Sequence, residues 1–217
     1  MRTYISPIGF NSTTVTRPLL SRGIDDGDEV VLIRPDIPED DLDSRAREAI
    51  VDVERLLQEI EPTVSVTTER ISCGKFDTAV LECSDLILAA EGERIVTLGG
   101  GARDVLVPFV TATLTHARLI ESALFFSDLD GTVDEWNLPG LTATLHETTK
   151  PTVTALKQAG GEASIPTLTN VTGQSKSTVT RHVKQLTEEG IVDVWTEGKT
   201  KHMEITLVGE LLLRSED

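Results

Sequence analysis

Three consecutive glycines followed by Ala102 and Arg103 are the residues best suited to chemistry in this chain. Gly99, Gly100 and Gly101 follow an apolar strand-like run and lead directly into a helix-like pattern. Glycine lets an anion approach backbone N–H groups closely, and a helix N-terminus favours negative charge. The guanidinium of Arg103 can donate two hydrogen bonds to the same anion. The segment therefore predicts a phosphate site; since it fits neither Gly-x-Gly-x-x-Gly nor a P-loop, a flexible tight turn is the alternative.

A polar loop after the first strand-like run is the second candidate. Asn11, Ser12 and Thr13 supply an amide and two hydroxyl groups, and Gly9 and Phe10 come immediately before them. In a sheet with the common strand order 3-2-1-4-5, the loops after strands one and four lie side by side where the strand order reverses. We therefore expect the two loops to form one ligand site.

The segment from Asp128 to Thr132 has two competing interpretations. Its Asp-x-Asp-Gly-Thr order after an apolar run is typical of haloacid-dehalogenase-type phosphatases, which use the first Asp as nucleophile and the pair to hold magnesium. Those enzymes carry the motif near the start of their core domain, whereas here it follows a long α/β pattern. Asp-Gly between two strand-like runs is a strong hairpin signal. We favour a β-hairpin with strands at 122–128 and 132–136.

Histidines and cysteines form no recognisable catalytic or metal-binding set. The four histidines are dispersed at positions 116, 146, 182 and 202. His182 lies at the edge of an apolar helical stripe and is predicted to be structural. Cys73 and Cys83 lack metal-ligand spacing, and Cys83 lies on an apolar helical face that predicts a buried thiol. We predict no catalytic residue, no metal and no cofactor.

Alternating strand-like and helix-like patterns fill the first part of the chain. Strand patterns occupy 2–8, 29–34, 63–68, 95–98 and 122–127, and helix patterns occupy 12–21, 42–60, 76–89 and 104–118. The uninterrupted apolar run after Glu29 is typical of a parallel strand buried on both faces. The alternation predicts an α/β domain over 1–140, with a doubly wound, mostly parallel, Rossmann-like sheet that ends in the hairpin.

The remaining residues, 141–217, have the turn and capping residues of an α+β winged helix-turn-helix. Pro166 suits the first turn of one helix, Gly173 can end that helix in the left-handed conformation, and Ser175 can cap the next. Residues 191–195 and 203–207 alternate like strands and predict the wing. The second helix of such a pair enters the major groove of DNA. A helical pair in a protein-interaction module is the alternative.

Polar residues of the second helix and basic residues of the wing are the predicted contacts with double-stranded DNA. Val179, Val183 and Leu186 share one stripe of the helix, which leaves the opposite face free. Base edges are expected to meet hydroxyl groups and one guanidinium, and phosphates are expected to meet lysines. The predicted DNA-binding residues are Lys176, Ser177, Thr178, Arg181, Lys184, Lys199 and Lys201.

Charge is distributed unevenly along the chain. Residues 1–148 contain 12 Lys and Arg against 27 Asp and Glu, a net charge of −15, whereas residues 149–217 contain 8 against 9, a net charge of −1. Acidic runs at 25–29 and 39–43, and the scarcity of lysine before residue 149, favour a halophilic source. No apolar run is long enough to span a membrane, and the N-terminus lacks signal-peptide features. We expect a cytoplasmic protein.

An α/β half with Gly-Gly-Gly-Ala-Arg after strand four, followed by a winged helix, resembles a known family. The family is that of archaeal CRISPR-associated regulators, which join a CARF domain (a CRISPR-associated Rossmann fold) to a winged helix. The opening Thr3-Tyr4-Ile5-Ser6-Pro7-Ile8-Gly9-Phe10-Asn11 also looks like their first strand and loop. The resemblance covers nearly the full length.

This resemblance implies a homodimer with one ligand pocket across its two-fold axis. The implied effector is a cyclic oligoadenylate, with cyclic tetra-adenylate favoured, and the implied function is ligand-controlled transcription from CRISPR-related promoters. We expect a regulator rather than an enzyme; a metal-independent ring nuclease and a regulator that senses another phosphorylated metabolite are the alternatives. The implied ligand-binding residues are Gly9, Phe10, Asn11, Ser12, Thr13, Gly99, Gly100, Gly101, Ala102 and Arg103.

Overall fold

The computed structural model describes residues 1–38 and 42–215, so part of the acidic run at 39–43 lies outside the described residues. The chain divides into two compact units, Met1–Leu138 and Pro139–Asp217, where the sequence analysis places the division between residues 140 and 141. Within the described ranges, no helix is both long and apolar enough to cross a membrane.

The first unit contains a six-stranded sheet with helices on both faces. The strands are β1 (Arg2–Pro7), β2 (Glu29–Pro35), β3 (Ser65–Ile71), β4 (Glu93–Thr97), β5 (Ile120–Phe126) and β6 (Val133–Glu135). The helices are α1 (Thr13–Arg22), α2 (Ser44–Ile60), α3 (Phe76–Ala89) and α4 (Arg103–Thr115). The strand order is β3-β2-β1-β4-β5-β6, and β1 to β5 are parallel. The predicted α/β class and the order 3-2-1-4-5 are confirmed.

Two apolar layers hold this sheet between its helices. Tyr4 and Leu32 pack in one layer with residues of α1 and α2. Ile5 and Ile33 point to the opposite face and pack with residues of α3 and α4, including the buried thiol of Cys83. Successive strand side chains alternate between faces, so a strand covered on both sides is apolar at consecutive positions.

The predicted β-hairpin is confirmed, with a longer loop than a two-residue Asp-Gly turn. β6 pairs antiparallel with β5, and the Ser127 N–H donates to the Thr132 carbonyl at 2.9 Å. The Asp130 carboxylate accepts from the backbone N–H and hydroxyl of Thr132, which lowers the pKa of Asp130. Trp136 follows β6 and stacks on Phe125 with ring centroids 4.1 Å apart. The carboxylates of this segment therefore organise a turn at the end of the sheet.

Some predicted boundaries in this unit were wrong by a few residues. β3 begins at Ser65 rather than at 63, because the Thr63 hydroxyl is bonded to the carboxylates of Asp26 and Glu61 in the preceding turn. The helix predicted over 104–118 ends at Thr115, where the chain leaves helical geometry and forms a short 3₁₀ turn at Ala117–Leu119.

The second unit is an α+β winged helix-turn-helix, as predicted. Its elements are α5 (Lys150–Gln158), β7 (Glu162–Ser164), α6 (Ile165–Thr172), α7 (Lys176–Glu188), β8 (Val192–Glu197), β9 (Thr200–Ile205) and α8 (Leu207–Arg214). The three strands form an antiparallel sheet in the order β7-β9-β8. A single apolar core joins α5, α6 and α7 to this sheet.

Capping residues set the ends of these helices. Gly173 ends α6 in the left-handed conformation with φ 68°, and the Ser175 hydroxyl accepts the Thr178 N–H at 3.2 Å to begin α7. The prediction of a strand through 207 was wrong, since the Thr206 hydroxyl accepts the Gly209 N–H and starts α8 there. A capping hydroxyl satisfies an N–H that has no partner within the helix.

A buried ion pair secures the amino-terminal end of the sheet. The Arg2 Nε donates to Asp28 Oδ2 at 3.0 Å, and the Arg2 backbone N–H donates to Asp28 Oδ1 at 2.8 Å. The Asp25 N–H also donates to Asp28, whose side chain is almost fully buried. Burial alone would raise the pKa of Asp28, but these hydrogen bonds, with that from the Arg2 side chain first, lower it overall.

We predict that Asp28→Asn lowers the free energy of unfolding at pH 7 by about 2–3 kcal/mol, because the Arg2 guanidinium then loses its buried charged partner. A lowered folded pKa contributes stability above the unfolded pKa of about 4, and that contribution is lost as pH falls through the folded pKa. Denaturant unfolding between pH 7 and pH 3 should therefore show a smaller acid-induced loss in the variant. Asp52→Asn, which removes an exposed pair with Arg55, is the control. Parallel pH curves for Asp28→Asn and wild type would contradict the assignment.

Candidate functional site

A cleft of about 490 Å³ lies in the first unit at the carboxyl ends of β1, β2 and β4. This is the edge of a doubly wound sheet at which ligands bind, where the strand order reverses. Gly9 and Asn11 line it from the loop after β1, and Gly100, Gly101 and Ala102 line it from the loop after β4. The two loops that the sequence analysis assigned to one site are therefore adjacent.

Glycine allows these two loops to touch through their backbones. A Cβ on Gly9 would lie 3.0 Å from the backbone nitrogen of Gly101, and a Cβ on Gly101 would lie 2.7 Å from Cβ of Pro7. A Cβ on Gly100 would collide with Oγ1 and Cβ of the buried Thr14. Gly100 and Gly101 also have φ values of 80° and 78°, which L-residues rarely adopt.

Hydrogen bonds within the first loop fix its shape. The Asn11 Oδ1 accepts the backbone N–H of Thr13 at 2.9 Å, and the Asn11 carbonyl accepts the Thr14 hydroxyl at 2.9 Å. At the second loop, α4 starts at Arg103 after Ala102, whose side chain cannot cap the first turn. The loop after β4 thus presents a helix N-terminus beside the cleft, a position that favours an anion.

The opposite wall of the cleft comes from β2, the connection that follows it and α2. Its apolar side chains are Ile37, Leu42, Ala46 and Ile50. Arg34, which is 4% exposed, also lines the cleft, and its guanidinium donates to the Pro35 carbonyl at 3.1 Å. The cleft therefore combines apolar side chains on one wall, backbone groups of the loops after β1 and β4 on the other, and a buried arginine.

An ion pair stands at the mouth of the cleft, where α2 begins. The Asp43 carboxylate caps α2 by accepting the Arg45 backbone N–H, and it also accepts from Arg45 Nε at 3.1 Å and Nη2 at 2.9 Å. The side-chain hydrogen bonds from Arg45 lower the pKa of Asp43 to about 2. The same guanidinium lies over the Phe10 ring, with its carbon 4.3 Å from the ring centroid. Both Phe10 and Asp43 line the cleft.

The predicted ligand residues divide into two groups. Gly9, Phe10, Asn11, Gly100, Gly101 and Ala102 line the cleft. The others flank it: Ser12 precedes α1, Thr13 begins α1, Gly99 lies beside Phe126, and Arg103 is exposed at the first turn of α4.

Sequence reasoning missed the whole wall built by β2 and α2. The available signal was the strand order, since β2 adjoins β1 and its carboxyl end must lie beside the first loop. Asp43 was interpreted as part of a solvated acidic run, and the apolar side chains of α2 resemble those of any amphipathic helix facing a core.

A serine–histidine pair occurs outside the cleft lining. Ser84 Oγ and His116 Nε2 are 2.7 Å apart and join α3 to the end of α4. Ser84 lies inside a helix, and the contact ties two helices that pack on one face of the sheet. Within residues 1–38 and 42–215, no group of His, Cys, Asp and Glu side chains could hold a metal ion.

In the second unit, α7 separates a buried face from an exposed basic face. Val179 and Leu186 are buried, whereas Lys176, Arg181 and Lys184 are exposed. Lys184 Nζ lies 3.6 Å from Glu188 Oε1, one turn further along the helix. Ser177 and Thr178 place their hydroxyl groups within 2.9 Å of the capping Ser175 hydroxyl. Of the predicted base-reading residues, Arg181 is thus the long side chain on the open face.

The wing is tighter than predicted. Residues 198 and 199 form a two-residue turn between Glu197 and Thr200, so Lys199 lies at the tip and Lys201 lies in β9. Both lysines are exposed. Trp195 stacks on His202 across the two strands, with ring centroids 5.8 Å apart.

His182 is structural, as predicted. It lies on the buried face of α7, and its Nδ1 lies 2.8 Å from the Thr152 hydroxyl of α5. Burial, with a smaller contribution from Arg181, lowers the pKa of His182. The neutral imidazole of His182 therefore helps to hold α7 against α5. In this position α7 keeps its basic face exposed.

Residues 2–130 match the family of the Csa3 CRISPR-associated Rossmann-like domain. The chain belongs to this family. Residues 154–193 also match the winged helix-turn-helix DNA-binding family. The Csa3-type domain thus holds the cleft and the winged-helix domain holds α7. No curated protein matches the sequence significantly.

Several solved structures align with this chain at low identity. A structure of BpsR from Bordetella bronchiseptica is 17% identical and covers 34% of this chain, with a TM-score of 0.31. Sso10a-2, a DNA-binding protein from Sulfolobus solfataricus, is 23% identical over 32% of this chain, with a TM-score of 0.29. Csm6 from Enterococcus italicus, bound to cyclic hexa-2′-fluoro-hexa-dAMP, is 9% identical over 87% of this chain, with a TM-score of 0.48. The chain spans 58%, 74% and 55% of these structures, respectively.

We predict that Gly100→Ala and Gly101→Ala each lower the free energy of unfolding by roughly 2 kcal/mol, through the left-handed backbone and the collisions described above. Denaturant melts would measure the loss. Gly74→Ala is the matched control, because a Cβ there meets nothing within 4 Å and the backbone is not left-handed. If Gly100→Ala and Gly101→Ala melt like Gly74→Ala, the loops do not require glycine.

Proposed function

We propose that this chain is a homodimeric transcription regulator that senses a cyclic oligoadenylate, with cyclic tetra-adenylate favoured, and controls CRISPR-related promoters. One observation carries the proposal: a single chain contains both a Csa3-type Rossmann-like domain with an open cleft at its switch point and a winged helix-turn-helix. Ligand binding at the cleft would change the affinity of the paired winged helices for a palindromic site.

The composition of the cleft supports a nucleotide ligand. Backbone N–H groups at the loop after β4 and at the start of α4 suit a phosphate, and Arg34 adds a buried positive charge. The apolar wall of α2 suits a base, because ligand sites bury flat apolar groups against hydrophobic side chains. A cyclic oligoadenylate offers both groups repeatedly around one ring.

The proposal is tested by measuring DNA affinity with and without cyclic tetra-adenylate. Duplexes selected by the wild-type chain from a random library serve as targets for fluorescence anisotropy. We expect the ligand to change the apparent Kd, and the recovered ligand to be intact. Linear products formed without added metal would favour the ring-nuclease alternative. An unchanged Kd with cyclic tetra-adenylate would contradict the proposed effector, and another phosphorylated metabolite that changes the Kd would take its place.

We predict that Arg181→Ala weakens specific DNA binding about tenfold, because a guanidinium facing base edges contributes about 1–3 kcal/mol of discrimination. Lys199→Ala and Lys201→Ala should each reduce the salt dependence of binding by about one counterion, as expected of phosphate contacts. Arg55→Ala removes an equal charge from exposed α2 and is the control. Equal affinities for Arg181→Ala and Arg55→Ala would show that α7 does not read DNA.

We predict that Arg103→Ala abolishes the response to cyclic tetra-adenylate and leaves ligand-free DNA binding within twofold of wild type. The reason is that Arg103 flanks the cleft at the start of α4, whereas α7 belongs to the other unit. Anisotropy titrations with and without the ligand measure both quantities. Loss of ligand-free DNA binding in Arg103→Ala would refute this division of labour.

A further inference from the structure

The residues at the mouth of the cleft form a contact that a ligand can exchange. Phe10 is 59% exposed, and the carbon of the Arg45 guanidinium lies 4.3 Å from the centroid of its ring. The Arg45 side chain is 64% exposed. Exposed ion pairs contribute little to stability, so moving this guanidinium costs the fold little.

The charges of Asp43 and Arg45 determine how the mouth of the cleft interacts with an anionic ligand. Asp43 lines the cleft, and its carboxylate would repel an approaching phosphate. Arg45 neutralises that carboxylate through two side-chain hydrogen bonds. Because the rest of this unit is strongly acidic, removal of the Arg45 charge would leave Asp43 uncompensated at the entrance.

Phe10 supplies the aromatic ring on which a ligand base can replace the Arg45 guanidinium. Among the described residues that line the cleft, Phe10 is the only aromatic one, and it reaches from the loop after β1 to Arg45 in the first turn of α2. A nucleobase and a guanidinium both bind the face of an aromatic ring, and base stacking on an aromatic ring is favourable for every base. The base and the guanidinium therefore compete for the same ring face.

We propose that Phe10, Arg45 and Asp43 form a ligand-operated latch on the cleft. A base of the nucleotide ligand stacks on Phe10 and displaces the Arg45 guanidinium from the ring. The guanidinium stays paired with Asp43 and faces the adjacent phosphate, while Asp43 continues to cap α2. The proposal rests on the proposed function, since it requires a nucleotide in the cleft. It adds Arg45, in the first turn of α2, to the residues that determine ligand affinity.

The test is titration calorimetry of the full-length chain with cyclic tetra-adenylate. We expect Phe10→Ala to weaken binding about tenfold, and Phe10→Tyr to keep wild-type affinity because it retains the ring. Arg45→Ala should also weaken binding about tenfold, because repulsion between the uncompensated Asp43 and the phosphate outweighs the gain from freeing the ring face. Arg55→Ala lies on the same helix in an exposed pair with Asp52 and should change affinity less than twofold. Thermal melts check that each variant is folded, as expected for exposed side chains.

Removal of the negative charge at Asp43 separates the latch from a simple structural role. Asp43→Asn retains a side-chain cap for α2, since Asn caps helices as well as Asp. Added to Arg45→Ala, it should restore at least threefold of the lost affinity, because the uncompensated carboxylate is gone. Wild-type affinity in Arg45→Ala or in Phe10→Ala overturns the latch, and no recovery in the double variant overturns the role of Asp43. Absence of binding by the wild type contradicts the proposed effector instead.

Discussion

The close approach of two backbones, at Gly9 and Gly101, is the constraint on which the site depends. A loop that must pass within van der Waals contact of another loop can carry no side chain at that point. Pro7 and Thr14 fill the remaining space around Gly100 and Gly101. The result is a floor made of main chain, so the groups that it offers a ligand are N–H and C=O groups held by the strands β1 and β4. Such groups cannot change rotamer, and their positions follow directly from the strand pairing.

An acidic unit can offer an anion site only if positive charge is local. Residues 1–148 carry a net charge of −15, so the long-range potential opposes a polyphosphate ligand. Two arginines supply local positive charge at the cleft. Arg34 lies in its wall, and Arg45 is paired with Asp43 at its mouth. The winged-helix unit is nearly neutral, and five of its eight Lys and Arg side chains lie on α7 and the wing. In both units the placement of a few cations matters more than the total charge.

Sequence periodicity was sufficient for the long elements and for their order. The helix Phe76–Ala89 was predicted with its observed bounds, and the strand alternation implied the order of the first five strands. The short strand β7 was not predicted, because it has three residues and forms only through its pairing with β9. The wall of the cleft escaped for a different reason. An isoleucine such as Ile50 has the same place in the apolar spacing of a helix whether its side chain faces a core or a cavity. Only the fold distinguishes these two environments.

The two tryptophans of the chain fall in different units. Trp136 stacks on Phe125 beside the terminal hairpin of the sheet, and Trp195 stacks on His202 in the wing. Each indole therefore has its own aromatic neighbour and its own local environment. With the other indole replaced by phenylalanine, the fluorescence of either tryptophan would report on one unit alone. The protein thus contains an intrinsic optical probe for each half of its chain.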